Sequence, residues 1–292
     1  MSKLQFPNKI LWLASYPKSG NTWFRAFLTA LLNNGKVEIN QMDTDGIFSH
    51  REIFDRVSDL ESRDMYNEEA HSMIADVYRH IALESKRLKI VKIHDYFGCD
   101  SSGESIVPED VTLCAIYFIR NPLDIAGSLA NHFNCTIDEA VKFLNNSDAY
   151  MVRQKNNLNV YNQLPQFLSD WSSHVKSWTH LPCFPVYSVK YEDMVSNTFG
   201  TFSKILELIG WRYTRDEISK AIDASSFHNL KRQEEEKGFV EKAFKSERFF
   251  RSGTISNWEN ELDKGQIDDI ISHHREIMTA HRYNGSIWPD NI

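Results

Sequence analysis

Three polar clusters in this chain have residue types and spacings suited to handling an anion. The first is Tyr16-Pro17-Lys18-Ser19-Gly20-Asn21-Thr22-Trp23. It joins an apolar run, Ile10 to Ala14, to a segment with apolar residues at helical spacing, Asn21 to Leu32. A helix start offers unpaired backbone N–H groups, and its dipole favours negative charge. Gly20 lets the backbone approach closely. Lys18 adds a point charge, and Ser19, Asn21 and Thr22 add short polar donors. A nucleotide triphosphatase would read Gly-Lys-[Ser/Thr], with its hydroxyl reserved for Mg²⁺. Here lysine precedes glycine, an order that suits a short anionic group held without a metal.

The second cluster, Lys92 and His94, ends the run Leu88 to His94. An imidazole with a pKa of about 6.5 can take a proton from a hydroxyl near neutral pH. The third is Arg120, with Pro122 and Ser128 behind it on the next helical segment. A planar guanidinium grips phosphate oxygens through its fork. Met alone, Arg-Asn-Pro is also an ordinary helix start, because proline suits the first helical position.

These groups need a frame that brings them together. Ile10 to Ala14, Leu88 to His94, Val111 to Ile119 and Phe184 to Tyr191 are compact, branched or aromatic runs of the kind buried strands show. Helical patterns lie between them at Asn21 to Leu32, Glu68 to Ser85 and Leu123 to Phe133, and a last helix is expected over about Lys264 to His281. Thr136 with Glu139 and Thr214 with Glu217 have capping-box spacing. Alternating strands and helices predict a single α/β domain over residues 1–292. It would have a central parallel β-sheet flanked by helices, of the P-loop nucleotide-binding type. Such sheets bind ligands at the carboxyl ends of their strands, where all three clusters fall. The charged run Lys231 to Lys245 reads either as a solvated helix or loop or as a lid over the site.

Bulk properties narrow the function further. The chain has 292 residues, 41% hydrophobic and 25% charged, which is ordinary for a globular protein. A net charge of −7 argues against bulk attraction to nucleic acid or an anionic membrane, so an anionic ligand needs a local basic pocket. Cys99, Cys114, Cys135 and Cys183 form no CxxC pair, and no His/Cys cluster has metal-ligand spacing. Four reduced thiols and a cytoplasmic location are expected. No apolar run is long enough for a signal segment or a membrane span.

With these residues in view, Ser15 to Trp23 resembles the 5′-phosphosulfate loop of the PAPS-dependent sulfotransferases, especially the cytosolic type. PAPS is 3′-phosphoadenosine-5′-phosphosulfate. Lys92 and His94 resemble the family's Lys-x-His pair. Arg120 and Ser128, eight residues on, resemble its 3′-phosphate motif. Tyr191-Glu192-Asp193 and Ser225-Ser226-Phe227 are similar to segments lining its adenine site, with Trp23 as the opposing aromatic. Arg251-Ser252-Gly253, followed by Trp258 and Asn260, resembles RKGxxGDWKN, with Ser252 in place of lysine, Ser256 of glycine and Asn257 of aspartate.

The resemblance implies sulfuryl transfer from PAPS to a hydroxyl of a small-molecule acceptor by in-line displacement, without a metal. His94 would be the general base. Lys18 would meet charge on the leaving phosphate, and Lys92 would hold the sulfuryl oxygens. Lys18, Ser19, Gly20, Asn21, Thr22, Trp23, Arg120, Ser128, Tyr191, Ser225, Phe227, Arg251, Ser252 and Gly253 would bind the donor. Asp95-Tyr96 replaces the family's Leu-Pro on the acceptor side. The family's C-terminal dimer motif is absent, which leaves the oligomeric state open. The alternatives are a P-loop kinase using ATP and a nucleotide-binding module without catalysis. Phe48, Tyr96, Phe97, Phe133, Tyr150 and Phe250 are candidates for an aromatic acceptor cavity.

Overall fold

Ile10, Trp12 and Ala14 face one side of their strand and Leu11 and Leu13 the other, and all five are fully buried. The same alternation recurs in the third apolar run. Ala115, Tyr117 and Ile119 join the first core, and Cys114, Ile116 and Phe118 the second. A strand buried on both faces needs helices on both sides. The computed structural model has that arrangement, and it describes residues 6–99, 103, 105–152, 162–242 and 246–283.

In chain order the elements begin β1 (Ile10–Ser15), α1 (Asn21–Leu32), α2 (Arg51–Ser58), α3 (Asn67–Ser72) and α4 (Ile74–Leu83). Next come β2 (Lys89–Ile93), β3 (Thr112–Ile119), α5 (Pro122–Phe133), α6 (Ile137–Leu144), β4 (Tyr150–Met151), β5 (Gln166–Phe167), α7 (Trp171–His180) and β6 (Val186–Lys190). The C-terminal part is helical: α8 (Tyr191–Ser196), α9 (Thr198–Leu208), α10 (Arg215–Ala224), α11 (Phe227–Lys237), α12 (Trp258–Glu261) and α13 (Lys264–Ala280). The main sheet is parallel throughout, in the order β2-β1-β3-β6. On one face lie α4, α5, α6, α7 and α13, packed around Tyr78, Leu129, Trp171 and Trp178. On the other lie α1, α9 and α10, where Phe24, Phe27, Phe118 and Phe202 interlock at centroid distances of 4.4–5.7 Å. Burying each such ring contributes roughly 1.5–3 kcal/mol.

Both expected capping boxes form, at Thr136/Glu139 and Thr214/Glu217, and a third at Asp263/Gln266 starts α13. The segment Glu68 to Ser85 departs from the expected single helix. It breaks between α3 and α4, where Ser72 Oγ donates to the Glu69 carbonyl at 2.8 Å and the Met73 N–H turns back to Ala70 O. A side chain competing for a helix carbonyl weakens the next turn. The short antiparallel pair β4/β5 has no signal in the sequence pattern. Of the charged run, residues 231–237 belong to α11, and 243–245 lie outside the described residues, as do 100–102, 104 and 153–161. Cys99, Cys114, Cys135 and Cys183 are free thiols.

Candidate active site

Parallel register sets the site. Ala14 pairs with Ile93, Ser15 with Phe118 and Ile119 with Lys190. The residues just beyond these pairs therefore leave the sheet along one edge: the loop after Ser15, then His94, Arg120 and Tyr191. The chain runs from β1 outward to β2 on one side and returns to β3 on the other. That reversal opens a crevice at the carboxyl ends of β1 and β3.

The loop after β1 is held in an unusual shape. Lys18 has φ 73° and Gly20 φ 97°, both left-handed. A lysine rarely adopts this backbone, and such strain persists where surroundings enforce it. Gly20 is required twice over, because an added Cβ would also stand 2.6 Å from the Tyr191 ring. Helix α1 opens at Gly20 with no side-chain cap and no acidic residue in its first turn, leaving its positive end uncompensated. Asn21 turns inward, donating to Leu13 O at 2.6 Å and tying the loop to β1. Its amide NH2 is therefore committed to the fold, while its Oδ1 is buried without a partner.

His94 is fixed by its Nδ1, which lies 2.7 Å from the Ser15 carbonyl and 3.2 Å from Ser15 Oγ. A carbonyl only accepts, so Nδ1 carries the hydrogen and Nε2 keeps a lone pair. Behind it, Tyr117 Oη donates to His174 Nδ1 at 2.9 Å, and His174 Nε2 donates to the His94 carbonyl at 2.9 Å. Burial, then the neighbouring Lys92 ammonium, pushes the His94 pKa well below its ordinary value. Burial likewise lowers His132, to about 3, with Lys18 and Lys92 adding to the effect.

Arg120 joins two loops. Its Nη1 donates to Lys18 O at 3.1 Å and its Nη2 to Thr254 O at 3.3 Å, while the guanidinium lies 4.2 Å over the Tyr191 ring. Its Nε is buried without a partner. Arg251 forms a two-point pair with Glu261, at 2.6 and 3.0 Å. Gly127 makes room for that pair, since a Cβ there would meet Glu261 Oε2 at 2.0 Å. Asp124 anchors the same loop by accepting from Ser256 N at 2.9 Å and Trp258 N at 3.2 Å. Gly253, at φ 67°, lies flat on Phe227, where a Cβ would come within 2.3 Å of the ring.

Together these residues line a cavity of about 780 Å³. Lys18, Gly20, Asn21, Thr22, Trp23, Lys92, His94, Arg120, Ser128, Tyr191, Phe227, Arg251, Ser252 and Gly253 all face it. Two of the sequence candidates do not. Ser225 is wholly buried and its hydroxyl donates back to Ala221 O at 2.8 Å, while Ser19 is buried beneath the loop with its Oγ unpartnered. Of the six candidate acceptor aromatics only Phe250 lines the cavity. Phe48 and Phe97 are core, and Tyr96 and Tyr150 pack against Phe167 with their rings tilted at 54° and 51°.

Sequence reasoning also missed residues that shape the wall. Glu234, inside the charged run, is buried and accepts from Phe249 N at 2.7 Å and Phe250 N at 2.9 Å. This holds Phe249 4.2 Å from the Lys18 ammonium, a cation–π contact. Glu241 reaches Lys92 and Arg25, and His50, Gln163 and Gln166 add polar groups to the cavity lining. Among the described residues no group of three or more His, Cys, Asp or Glu is arranged to hold a metal, and no helix is long and apolar enough to cross a membrane.

Comparison with known proteins gives a consistent result. A family model described as a sulfotransferase domain matches residues 8–281. Cytosolic sulfotransferase 13 of Arabidopsis thaliana is 26% identical over 285 residues, covering 91% of this chain and 76% of that protein. Sulfotransferase 1A1 of Rattus norvegicus is 23% identical over 288 residues, covering 94% and 86%. Among solved structures, a mouse sulfotransferase complexed with PAP superposes with a TM-score of 0.58 at 18% identity, covering 97% of this chain and 87% of that one. Retinol dehydratase in complex with androsterone and PAP gives a TM-score of 0.58 at 16% identity, covering 99% and 85%. Both structures are likenesses of fold.

Proposed function

The chain belongs to the sulfotransferase-domain family, and on that premise we propose that it transfers a sulfuryl group from PAPS to a hydroxyl of a small-molecule acceptor. The observation that carries this reading is the convergence of Lys18, Lys92, His94, Arg120 and Arg251 on one cavity at the strand ends of a net acidic protein. The cavity fits the donor on structural grounds. The uncapped α1 terminus and four cations offer sites for two separate phosphates. The Arg120 Nε and Trp23 Nε1 are buried without partners, and Gly20 and Gly253 let the backbone pack closely on Tyr191 and Phe227, two aromatic rings of the cavity lining.

PAPS supplies an activated sulfur whose leaving group is the 5′-phosphate of adenosine 3′,5′-bisphosphate (PAP). The α1 terminus and Lys18 hold the 5′-phosphate, and Arg120, Ser128 and Arg251 hold the 3′-phosphate. Lys92 holds the sulfuryl oxygens. His94 Nε2 takes the acceptor proton as the acceptor oxygen bonds to sulfur. The sulfur–oxygen bond to the phosphate breaks with its electron pair going to phosphate, where Lys18 neutralises it. The balance is acceptor hydroxyl plus PAPS giving sulfate ester, PAP and one proton. Catalysis of this kind is positioning plus electrostatics.

The direct test is ligand-dependent melting. PAP without Mg²⁺ raises the melting temperature, by the equivalent of about 2.7 kcal/mol at a hundredfold excess over Kd. Mg²⁺-ATP stabilising the protein instead would favour a kinase.

Lys18 gives a second measurable signature. Burial, then the charges of Lys92 and Arg120, push its pKa down to about 7 in the ligand-free site. A bound phosphate raises it again, since an opposite charge favours the ammonium. Binding therefore takes up a proton above pH 7, and affinity for PAP falls as pH rises from 7 to 9. Calorimetry at pH 8 in buffers of different ionisation enthalpy should show uptake approaching one proton per PAP, lost in Lys18→Met. A buffer-independent enthalpy in the native protein would remove Lys18 from the phosphate site.

A further inference from the structure

Glu241 has no part in the transfer just described, yet it touches the transfer site directly. Its Oε2 lies 3.1 Å from Lys92 Nζ, and its Oε1 lies 2.7 Å from Arg25 Nη1. Arg25 is a buried residue of α1, and its Nε also donates to Thr44 Oγ1 at 3.0 Å. Glu241 belongs to the segment that follows the end of α11 at Gly238, and its neighbour Val240 is 76% exposed. A carboxylate thus reaches from a surface segment to the inner lysine of the cavity. Burial opposes its ionisation, but Lys92 and Arg25 together hold its pKa at about 2, so it is an anion at every physiological pH.

We propose that Glu241 occupies on Lys92 the place that the sulfuryl oxygens take, yields Lys92 when the sulfonated donor binds, and so sets the relative affinity of donor and spent nucleotide. This rests on the assignment of Lys92 to the sulfuryl group. A carboxylate and a sulfuryl group are both anionic oxygen acceptors, and two anions sharing one ammonium in a cavity screened from water repel each other. Arg25 makes the exchange feasible, because the displaced carboxylate keeps a charged partner. PAP ends at its 5′-phosphate and has no group to compete for Lys92. Glu241 therefore acts against PAPS and leaves PAP untouched. After transfer it returns to Lys92 and displaces the new sulfate ester. It also shields Lys92 from anions that lack a transferable group.

The test is a pair of dissociation constants, for PAPS and PAP without acceptor, in the native protein and in Glu241→Gln. Removing the competing charge should tighten PAPS by about tenfold, the scale of one hydrogen bond to a charged group, while PAP changes less than about twofold. An equal change in both ligands, or weaker PAPS binding with a lower kcat, overturns the proposal and makes Glu241 a fixed support for Lys92. If glutamine leaves Arg25 too poorly paired for the variant to fold, hydrogen exchange on the native protein decides. The Val240 and Lys242 amides, bonded to Asn40 Oδ1 and Phe239 O at 3.0 Å, should exchange faster with PAPS than with PAP. Equal protection overturns the proposal. Failure of PAP to bind the native protein at all is a separate result: it strikes the donor assignment and this inference with it.

Discussion

Replacing His94 by Ala lowers kcat by about 10²–10⁴-fold, the usual contribution of a positioned proton acceptor, with little change in PAP affinity. Geometry singles out His94 over the other imidazoles at the cavity. Its Nδ1–H is spent on the Ser15 carbonyl at 2.7 Å, so the base nitrogen is Nε2. His132, by contrast, has a buried Nδ1 with no partner, and nothing fixes its tautomer. The sign of the pH dependence follows from the environment. Burial and the Lys92 charge hold the His94 pKa well below its ordinary value, so the imidazole is neutral at pH 7 and somewhat below it. Activity that depends on the free base is full at neutral pH. It falls only where pH drops below the ordinary histidine range of about 6.5. The profile to measure is kcat/KM for the donor, which reports the ligand-free enzyme; an acid limb near 6.5 or above there would mean that the titrating base is another group. Near-normal turnover in the alanine variant would remove His94 from the role.

The parts of the site that lie at strand ends were legible in the sequence, because a parallel sheet turns the order of motifs into proximity. Ser15, His94, Arg120 and Tyr191 are far apart along the chain but neighbours by register. No local pattern reveals which carboxylates will turn inward. Glu234 and Glu241 sit in a charged run that reads either as solvated surface or as a lid, and only the tertiary approach of Phe249, Phe250, Lys92 and Arg25 gives them partners. Asp124 and Glu261 are hidden for the same reason. Their partners are backbone amides of Ser256 and Trp258 and the side chain of Arg251. Ser225 shows the converse failure. The Ser-Ser-Phe match placed Phe227 at the cavity, but the Ser225 hydroxyl closes on a helix carbonyl one turn back. The aromatics misled because burial is common to core and cavity. Phe48 and Phe97 complete the sheet's packing. Phe249, which is bonded through its amide to Glu234, lines the cavity beside Phe250.

Arg120→Ala should weaken PAP and PAPS by about 10²-fold or more, with a smaller loss of kcat at saturating donor. Two hydrogen bonds to a charged phosphate at about 1.5 kcal/mol each give roughly 3 kcal/mol, or a factor of about 10². The side chain is already positioned for this. Its two terminal nitrogens hold Lys18 O and Thr254 O, its face lies on Tyr191, and its fork spans the gap between the phosphate loop and the Arg251–Thr254 turn. Lysine at this position should recover little, because a point charge cannot hold both loops and a phosphate at once. The decisive comparison uses adenosine 5′-phosphosulfate, which lacks the 3′-phosphate. The native protein should discriminate strongly against it, and Arg120→Ala should discriminate less, by about the factor that it loses for PAPS, with Ser128 and Arg251 keeping the rest. The loss then belongs to the 3′-phosphate, since general damage to the site would weaken both donors together. Unchanged PAP affinity in the variant would place the 3′-phosphate elsewhere and leave Arg120 as a loop clamp.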